Sequence, residues 1–200
     1  MKKVYILIIL FLLPASPLLA QNQDDSSQNR EYKIKAAFLY NFIKFVDWPK
    51  EKTAEDDGSL IIGIIGKNPF GDAFEPIQNK KVKGNNTKIK YFQGFKELKK
   101  IEEDNRSEYE NIVEDIRKCH LLFICSSEKY NLVDILNLVK NNSILTVGET
   151  PGMLEVNGII NFTLEENKVR FEVNLNAAHK SKLVIRSQLL RLAKNVIEDK

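Results

Sequence analysis

The chain has 200 residues, of which 43% are hydrophobic and 28% are charged, a composition typical of a globular protein. Nine glycines, six prolines and two cysteines are too few for a fibrous chain, a low-complexity chain or a disulfide scaffold. The formal net charge is +3, and its distribution along the chain decides what it means.

The first 20 residues have the pattern of a secretory signal peptide. Lys2 and Lys3 precede an apolar run from Val4 to Leu13, and the small residue Ala20 stands before a polar stretch. The apolar run is shorter than the roughly 20 residues that a membrane-spanning helix needs. We therefore predict export to the periplasm with cleavage after Ala20; the alternative is an uncleaved anchor.

Removal of residues 1–20 changes the meaning of the net charge. It takes away two lysines and no acidic residue, which leaves 28 basic and 27 acidic side chains. Nucleic-acid binding needs clustered basic charge, so we predict no nucleic-acid partner. No second apolar stretch approaches membrane-spanning length, so we expect no membrane insertion after cleavage.

The mature chain begins with a polar segment and an apolar helix. Residues 21–30 are predicted to be a flexible tether, because residues 21–29 contain no apolar side chain. A single folded domain is predicted over residues 31–200. Apolar residues recur at helical spacing from Ile34 to Phe45, and Pro49 stops this helix.

Strand-like and helix-like segments alternate through the middle of the chain. The predicted strands are Leu60 to Ile65, Lys88 to Phe92, His120 to Ile124 and Ile144 to Val147, and the predicted helices are Asn68 to Glu75, the second half of the charged stretch Lys96 to Lys118, and Tyr130 to Val139. Ser107 and Glu110 form a capping-box pattern in that charged stretch. The alternation indicates a mainly parallel sheet with right-handed crossovers.

The C-terminal part has a different pattern. Ile160 to Leu164 and Val169 to Val173 flank a polar turn and predict an antiparallel hairpin. Ser187 to Ile197 is predicted to be a final helix with five apolar residues turned inward. The predicted fold class is α/β: one three-layer domain with a mainly parallel sheet, helices on both faces and a C-terminal antiparallel hairpin.

Residue types that bind metals are scarce. The only nitrogen or sulfur ligands are Cys119, His120, Cys125 and His179. The two cysteines are about 20 Å apart along an extended strand, too far for a shared metal or an intramolecular disulfide. We predict no metal site.

Catalytic patterns are also missing. The turn from Gly63 to Gly71 lacks the spacing of phosphate-binding loops, and Glu149 has no partner for acid–base catalysis in its loop. There is no nucleophile elbow. We predict no catalytic residue, no cofactor and no enzymatic activity.

Two features are candidates for recognition of a protein partner. Arg170, Glu172 and Asn174 alternate with three apolar residues, so one face of this strand is polar. That face is either an exposed surface with an Arg–Glu neighbour pair or a recognition surface. Trp48, the single tryptophan, is either a lid on the core or an interface anchor.

Two separated motifs mark the ends of the predicted domain. The first is the segment Lys35 to Pro49, KAAFLYNFIKFVDWP. The second consists of GIINF at 158–162, VRFEVN at 169–174, AA at 177–178 and SQLLRLA at 187–193. In this order the motifs resemble those of the YfiR family of periplasmic proteins, with the first similar to the N-terminal signature of that family. The resemblance covers about residues 33–196.

The resemblance implies a non-enzymatic regulator. Characterised relatives bind the periplasmic part of an inner-membrane diguanylate cyclase and restrain cyclic-di-GMP synthesis, and release of that restraint promotes biofilm formation. The family is also associated with an α/β fold, with dimerisation and with redox-linked disulfides. Cys119 resembles a family cysteine, but no partner cysteine lies near the first strand, which leaves an intermolecular disulfide if Cys119 is exposed.

Two functions are therefore open. The leading hypothesis is a regulator that binds and restrains the periplasmic part of a membrane signalling protein, either a diguanylate cyclase or a sensor kinase, with Trp48, Arg170, Glu172 and Asn174 as contact candidates. The alternative is a periplasmic small-molecule binding module. Its ligand would occupy the crevice at the carboxyl ends of the strands, lined by the loops after Ile65, Ile124 and Val147.

Overall fold

A computed structural model describes residues 18–53, 58–78 and 80–198. In these ranges the helices are α1 (Leu18–Phe45), α2 (Lys50–Thr53), α3 (Phe95–Asp104), α4 (Arg106–Arg117), α5 (Leu132–Leu138), α6 (Leu175–Lys180) and α7 (Ser187–Leu190). The strands are β1 (Val46–Asp47), β2 (Leu60–Ile65), β3 (Lys81–Val82), β4 (Asn85–Phe92), β5 (Leu121–Ile124), β6 (Leu145–Gly148), β7 (Ile160–Glu165), β8 (Lys168–Asn174), β9 (Val184–Ile185) and β10 (Asn195–Ile197). Most of the predicted signal peptide, residues 1–17, lies outside the described residues.

Eight strands form one sheet in the order β10-β8-β7-β6-β5-β2-β4-β3. Strands β4, β2, β5, β6 and β7 form a parallel series. At its two ends β3 is antiparallel to β4 and β8 is antiparallel to β7, and β10 is parallel to β8. Every residue of β2 is buried, as expected for a central strand that is covered on both faces. The predicted α/β class with a mainly parallel sheet and a C-terminal hairpin is confirmed.

The two faces of the sheet carry separate hydrophobic clusters. On one face the buried residues of α1, among them Leu39, Phe42 and Ile43, pack on the strands. On the other face α4 and α5 supply buried residues such as Val113 and Ile135. Strand alternation explains this division, because successive side chains point to opposite faces.

Aromatic rings fasten α1 to the β7–β8 hairpin. The ring centroid of Phe42 lies 5.0 Å from that of Phe171 in an edge-to-face contact and 5.7 Å from that of Phe162. Phe38 lies 5.5 Å from Phe171. Such pairs contribute about 0.5–1.5 kcal/mol each beyond the burial of their surface. The first helix and the last hairpin are therefore held as one unit.

The hairpin register follows from its turn. Glu165 pairs with Lys168, and both central residues, Glu166 and Asn167, have positive φ values of 49° and 59°. This is the pattern of a two-residue type I′ turn, whose twist matches that of the strands. As a result Val169, Phe171 and Val173 face the core as predicted.

The structure differs from the sequence prediction at both ends. Helix α1 begins at Leu18, so residues 21–30, the predicted tether, have helical backbone that is continuous with the packed part. Extending an existing helix needs no new nucleus, which allows a polar segment to continue the helix beyond its packed part. The predicted final helix Ser187 to Ile197 is wrong. Helix α7 ends at Leu190, and β10 instead pairs with β8, because the outer edge of β8 accepts its backbone hydrogen bonds.

Two internal predictions are also wrong. Residues 71–78 form consecutive turns rather than part of a helix, and Gly71 has a left-handed φ of 49° that interrupts a helix there. Helix α4 is capped by Asn105, whose side chain accepts a hydrogen bond from the Glu108 backbone N–H. Ser107 therefore lies inside the helix and is not its cap.

Asp47 joins three segments beside the small sheet of β1 and β9. Its carboxylate accepts two hydrogen bonds of 2.8 Å from Arg186, just after β9, and one of 2.6 Å from Lys83, just after β3. The hydrogen bonds from Arg186 are the main reason that the pKa of Asp47 is lowered to about 2. The carboxylate thus stays charged over the ordinary pH range.

We expect Asp47→Asn to lower the free energy of unfolding at pH 7 by up to about 1 kcal/mol, because the group is partly exposed and screened. Since the pKa of Asp47 is lower in the folded state than in the unfolded state, its charged carboxylate stabilises the fold. This contribution to the free energy of unfolding is present above about pH 4 and is lost as pH falls towards 2. Urea unfolding at pH 7, 4 and 2.5 measures it. Asp72→Asn is the control, since Asp72 forms only a 3.6 Å pair with Lys33. A wild-type advantage that persists unchanged at pH 2.5 contradicts the assignment.

Candidate functional site

A buried charge cluster lies at the carboxyl ends of β5 and β6. Lys35 and Glu149 are 4% and 7% exposed, and their Nζ and Oε2 atoms are 2.6 Å apart. Lys35 also pairs with Glu31, and Glu149 accepts hydrogen bonds from the Tyr32 hydroxyl and the Ser126 backbone N–H. The sequence predicted no acid–base partner for Glu149 within its own loop; its side-chain partners Lys35 and Tyr32 come from α1, more than 110 positions away in the sequence.

The electrostatics of this cluster favour a structural role. Burial, together with the charge of Glu149, raises the pKa of Tyr32 above its usual value, so its hydroxyl stays protonated and donates. Glu149 is charge-balanced by Lys35 and receives donors at both oxygens. The cluster therefore holds the middle of α1 against the edge of the sheet.

A cleft opens between this cluster and the polar face of the hairpin. We name it the hairpin cleft; it has a volume of about 730 Å³ and is lined by residues of α1, the loop after β6, β7, β8 and β10, including Leu154, Asn161, Thr163, Leu164, Glu172 and Ile197. Glu172 pairs in register with Asn161 on one side and Asn195 on the other. Register partners project on the same face, so the carboxylate stands between two amides.

Some polar atoms of the hairpin cleft have no partner. Asn161 is 6% exposed, and its Oδ1 atom accepts no hydrogen bond in the structure. The hydroxyl of Thr163, two residues further along β7, is likewise buried without a partner. Buried polar atoms are normally paired, so these two mark the cleft as a place where a donor is missing.

A second cleft, the switch-point cleft, lies between the loops after β2 and β5. It measures about 840 Å³, and Lys67, Ser126 and Ser127 contribute to its lining. The crossovers that leave β2 and β5 cover opposite faces of the sheet, which is the position where α/β sheets bind ligands. The loops after Ile65 and Ile124 thus meet as predicted, whereas the loop after Val147 lines the hairpin cleft instead.

Glu128 fills the space next to the switch-point cleft and was not recognised from the sequence. It is buried, and its Oε2 accepts a 3.0 Å hydrogen bond from the Phe95 N–H at the start of α3. A Cβ atom at Gly66 or Gly94 would come within 2.9 Å of Glu128, so these glycines make room for it. The amino end of α3 is therefore satisfied by the protein's own carboxylate.

The four predicted contact residues do not lie together. Arg170 is exposed and Glu172 is half-buried, and among the described residues neither forms an ion pair. Asn174 is buried: its Oδ1 accepts from the Ala177 N–H and caps α6, and its Nδ2 donates to the Leu154 carbonyl. This cap is a structural use of the third polar residue of the face.

Trp48 lies at the amino end of β5, at the edge of the sheet opposite the clefts. Its indole N–H donates to the carbonyl of His120 at 3.2 Å, and the two rings meet edge to face at 5.6 Å. The ring of His120 in turn accepts the Ile61 N–H at Nδ1. Trp48 is thus partly buried and internally bonded, and it is remote from Arg170.

The two cysteines are free thiols in the interior. Cys119 is buried with its sulfur beneath Gly63, where an added Cβ would lie 2.7 Å from Sγ. Burial raises the pKa values of Cys119 and Cys125 to about 12. The intermolecular disulfide was conditional on exposure of Cys119, and that condition is not met, because the turn from α4 into β5 points the thiol inward.

The described ranges contain neither a metal-binding cluster nor a membrane-spanning helix. No group of three or more His, Cys, Asp or Glu side chains is arranged to hold a metal ion among the described residues. None of the helices in those ranges is long and apolar enough to cross a bilayer.

Comparisons with known proteins give one family and distant structural likenesses. The family described as YfiR/HmsC-like matches residues 32–194. No curated protein matches. The chain is similar to a conserved domain protein from Vibrio cholerae, with 8% identity and a TM-score of 0.52, and the match covers 83% of this chain and 60% of that one. An ABC domain from Streptococcus pneumoniae in complex with L-Trp has 9% identity and a TM-score of 0.48, over 69% and 55%.

At 8% identity the Vibrio likeness shows the fold alone. The chain spans about 60% of the length of that protein. The second likeness is weaker and carries no argument.

We expect Lys35→Met to lower the free energy of unfolding by about 3–5 kcal/mol, because it leaves the buried Glu149 carboxylate without its cation. The double variant Lys35→Met with Glu149→Leu should recover much of the loss, since the buried carboxylate is then removed together with its cation. Only Glu31, whose side chain is 23% exposed to water, still loses its partner. Urea unfolding followed by circular dichroism measures both. Lys33→Met, which removes an exposed lysine, is the control; an equal cost for Lys33→Met and Lys35→Met contradicts the role of the cluster.

We expect both native cysteines to resist thiol reagents at pH 8, because at a pKa of about 12 only about one thiol in ten thousand is ionised. An Arg170→Cys variant supplies an exposed control thiol in the same fold and should react at least 100-fold faster. The measurement is the rate of reaction with a chromogenic disulfide, with and without urea. Fast labelling of Cys119 without urea, or a disulfide-linked dimer on a non-reducing gel, contradicts the buried assignment.

Proposed function

Because the chain belongs to the YfiR/HmsC-like family, we propose that it is a periplasmic regulator of diguanylate cyclase signalling. The match to residues 32–194 is the observation that carries this proposal. The predicted signal peptide at 1–20 supports the periplasmic location. The proposed activity is restraint through protein contact, without catalysis.

The two motifs that carry the resemblance support the proposal by their position. The first contains Phe42 in α1 and the second contains Phe171 in β8, and these two rings are in contact. The motifs therefore build one structural unit from opposite ends of the chain. Such a unit offers a partner a preformed surface, whose binding does not require the ordering of loose segments.

The proposed mechanism is selective binding of one conformation of the partner. The partner is the periplasmic part of an inner-membrane signalling protein, a diguanylate cyclase or a sensor kinase. A regulator that binds the inactive conformation about 2–3 kcal/mol more tightly shifts a balanced equilibrium strongly towards it. Loss of the regulator then raises cyclic-di-GMP and promotes biofilm formation.

We propose Arg170 and Glu172 as contact residues on the partner-facing surface. Arg170 is exposed and unpaired among the described residues, so its guanidinium is free to bind a carboxylate of the partner. Trp48 and Asn174 use their polar groups in internal hydrogen bonds, and Cys119 is buried, so these three are left out of the proposed contact.

One observation also favours the alternative of small-molecule binding. The unpartnered Oδ1 of Asn161 lies in the hairpin cleft, next to the proposed contact residue Glu172. A ligand in that cleft would alter the same face of the sheet. Ligand binding and partner binding are therefore compatible functions of one regulator.

We expect deletion of the gene to raise cellular cyclic-di-GMP several-fold and expression of the wild-type chain to reverse the rise. An exported Arg170→Glu variant should fail to reverse it, because the new carboxylate repels the acidic group that Arg170 binds. Glu166→Lys, at the exposed hairpin turn, is the control that should retain function. Cyclic-di-GMP is measured by mass spectrometry, and capture on the purified protein identifies the partner in solubilised membranes. Unchanged cyclic-di-GMP and unchanged output of a neighbouring sensor kinase after deletion would refute the proposal.

A further inference from the structure

The hairpin cleft presents hydrogen-bond acceptors that lack donors. Asn161 is only 6% exposed, and its Oδ1 atom is buried. The hydroxyl of Thr163, two residues further along β7, is buried as well. Both residues line the cleft. Leaving such atoms buried and unpaired costs free energy, and a ligand that brings a donor recovers it.

The charge in the hairpin cleft is negative. Glu172 is half-buried, and its carboxylate makes no ion pair with the described residues; Glu155 also lines the cleft. Lys35 is the one lysine of the lining, and it is neutralised by Glu31 and Glu149. A ligand with a free carboxylate, including a zwitterion, is disfavoured there, whereas a cation is favoured.

The walls of the hairpin cleft are partly aliphatic. Leu154 is buried and Ile197 is 36% exposed. Both lie on the same side of the sheet as the polar row formed by Asn161, Glu172 and Asn195. An aliphatic chain lying on them would remove apolar surface from water while its charged end reaches the carboxylate.

We propose that the hairpin cleft binds a primary ammonium group carried on an aliphatic chain. Glu172 pairs with the ammonium, Asn161 Oδ1 and the Thr163 hydroxyl accept its remaining hydrogens, and Leu154 and Ile197 cover the chain. The three N–H donors of an ammonium match these three acceptors. The site shares Glu172 with the proposed contact surface but does not rest on the proposed function.

The test is calorimetric titration of the purified exported protein with hexylamine at pH 7. Hexanol and hexanoate, which have the same chain without the ammonium, are the matched ligand controls. We expect saturable binding of hexylamine and at least 10-fold weaker binding of the other two. Equal binding of hexanol would mean that the cleft is only an apolar groove, and no binding of hexylamine would mean that water alone satisfies Asn161; either result overturns the proposal.

Two variants test the position of the site with opposite expectations. Glu172→Gln keeps the shape of the side chain and should weaken hexylamine binding about 10-fold or more, since a charge-assisted hydrogen bond is lost. Asn195→Asp, at an exposed position beside Glu172, should tighten binding about threefold. Glu166→Gln at the hairpin turn is the control that should change nothing, and thermal unfolding confirms that each variant is folded. Unchanged binding in both test variants overturns the proposal.

A last comparison identifies the source of the ammonium. Nα-acetyl-lysine methylamide presents a lysine side chain, as a partner protein would, and spermidine presents a free amine. Tighter binding of the lysine derivative assigns the site to a side chain of the partner, and tighter binding of spermidine assigns it to a diffusible polyamine. These titrations contain no membrane protein, so their failure leaves the cyclic-di-GMP experiment intact, and the reverse is also true.

Discussion

The packing of α1 on the β7–β8 hairpin is the contact on which the rest of the structure depends. Phe38 and Phe42 from the N-terminal part meet Phe162 and Phe171 from the C-terminal part, with centroids 5.0–5.9 Å apart. Aromatic rings bury large apolar surfaces, and the free energy of this burial offsets the entropy that the chain loses when a loop of more than 100 residues is closed. It also sets the position of Lys35, one turn before Phe38, at the edge of the sheet.

Strand β8 of the hairpin has apolar side chains on one face and polar side chains on the other. The inward residues of β8 belong to the core, and the outward residue Glu172 lines the hairpin cleft. Two buried carboxylates near the strand ends, Glu128 and Glu149, are satisfied by donors of the protein itself. Glu172 has no such donor among the described residues. Glu128 and Glu149 therefore stabilise the fold, whereas the carboxylate of Glu172 is available to a ligand or a partner.

Local patterns were sufficient for the elements with one strong periodicity. The alternation in β8 predicted the burial of Val169, Phe171 and Val173. The apolar residues from Ile34 to Phe45 predicted a helix there, but its buried face is formed by Ala36, Leu39, Phe42 and Ile43, whereas Ile34 is 38% exposed. Local patterns were insufficient where two local structures compete. Val196 and Ile197 fit the apolar face of a helix, but residues 195–197 form a strand because they pair with the edge of β8. Ser107 matches a capping box, but the side chain of Asn105 accepts the hydrogen bond from the Glu108 N–H and caps the helix instead.

The sequence by itself determined the α/β class, the mainly parallel sheet, the hairpin and the family, because these depend on spacing within short segments. Only the tertiary structure decided the partners of the polar residues. Glu149 meets Lys35 across 114 positions, and Trp48 meets His120 across 72. It also decided that Cys119 points beneath Gly63 and that Asn161 faces a cleft without a donor. Side-chain partners are set by which elements pack together, and no local periodicity carries that information.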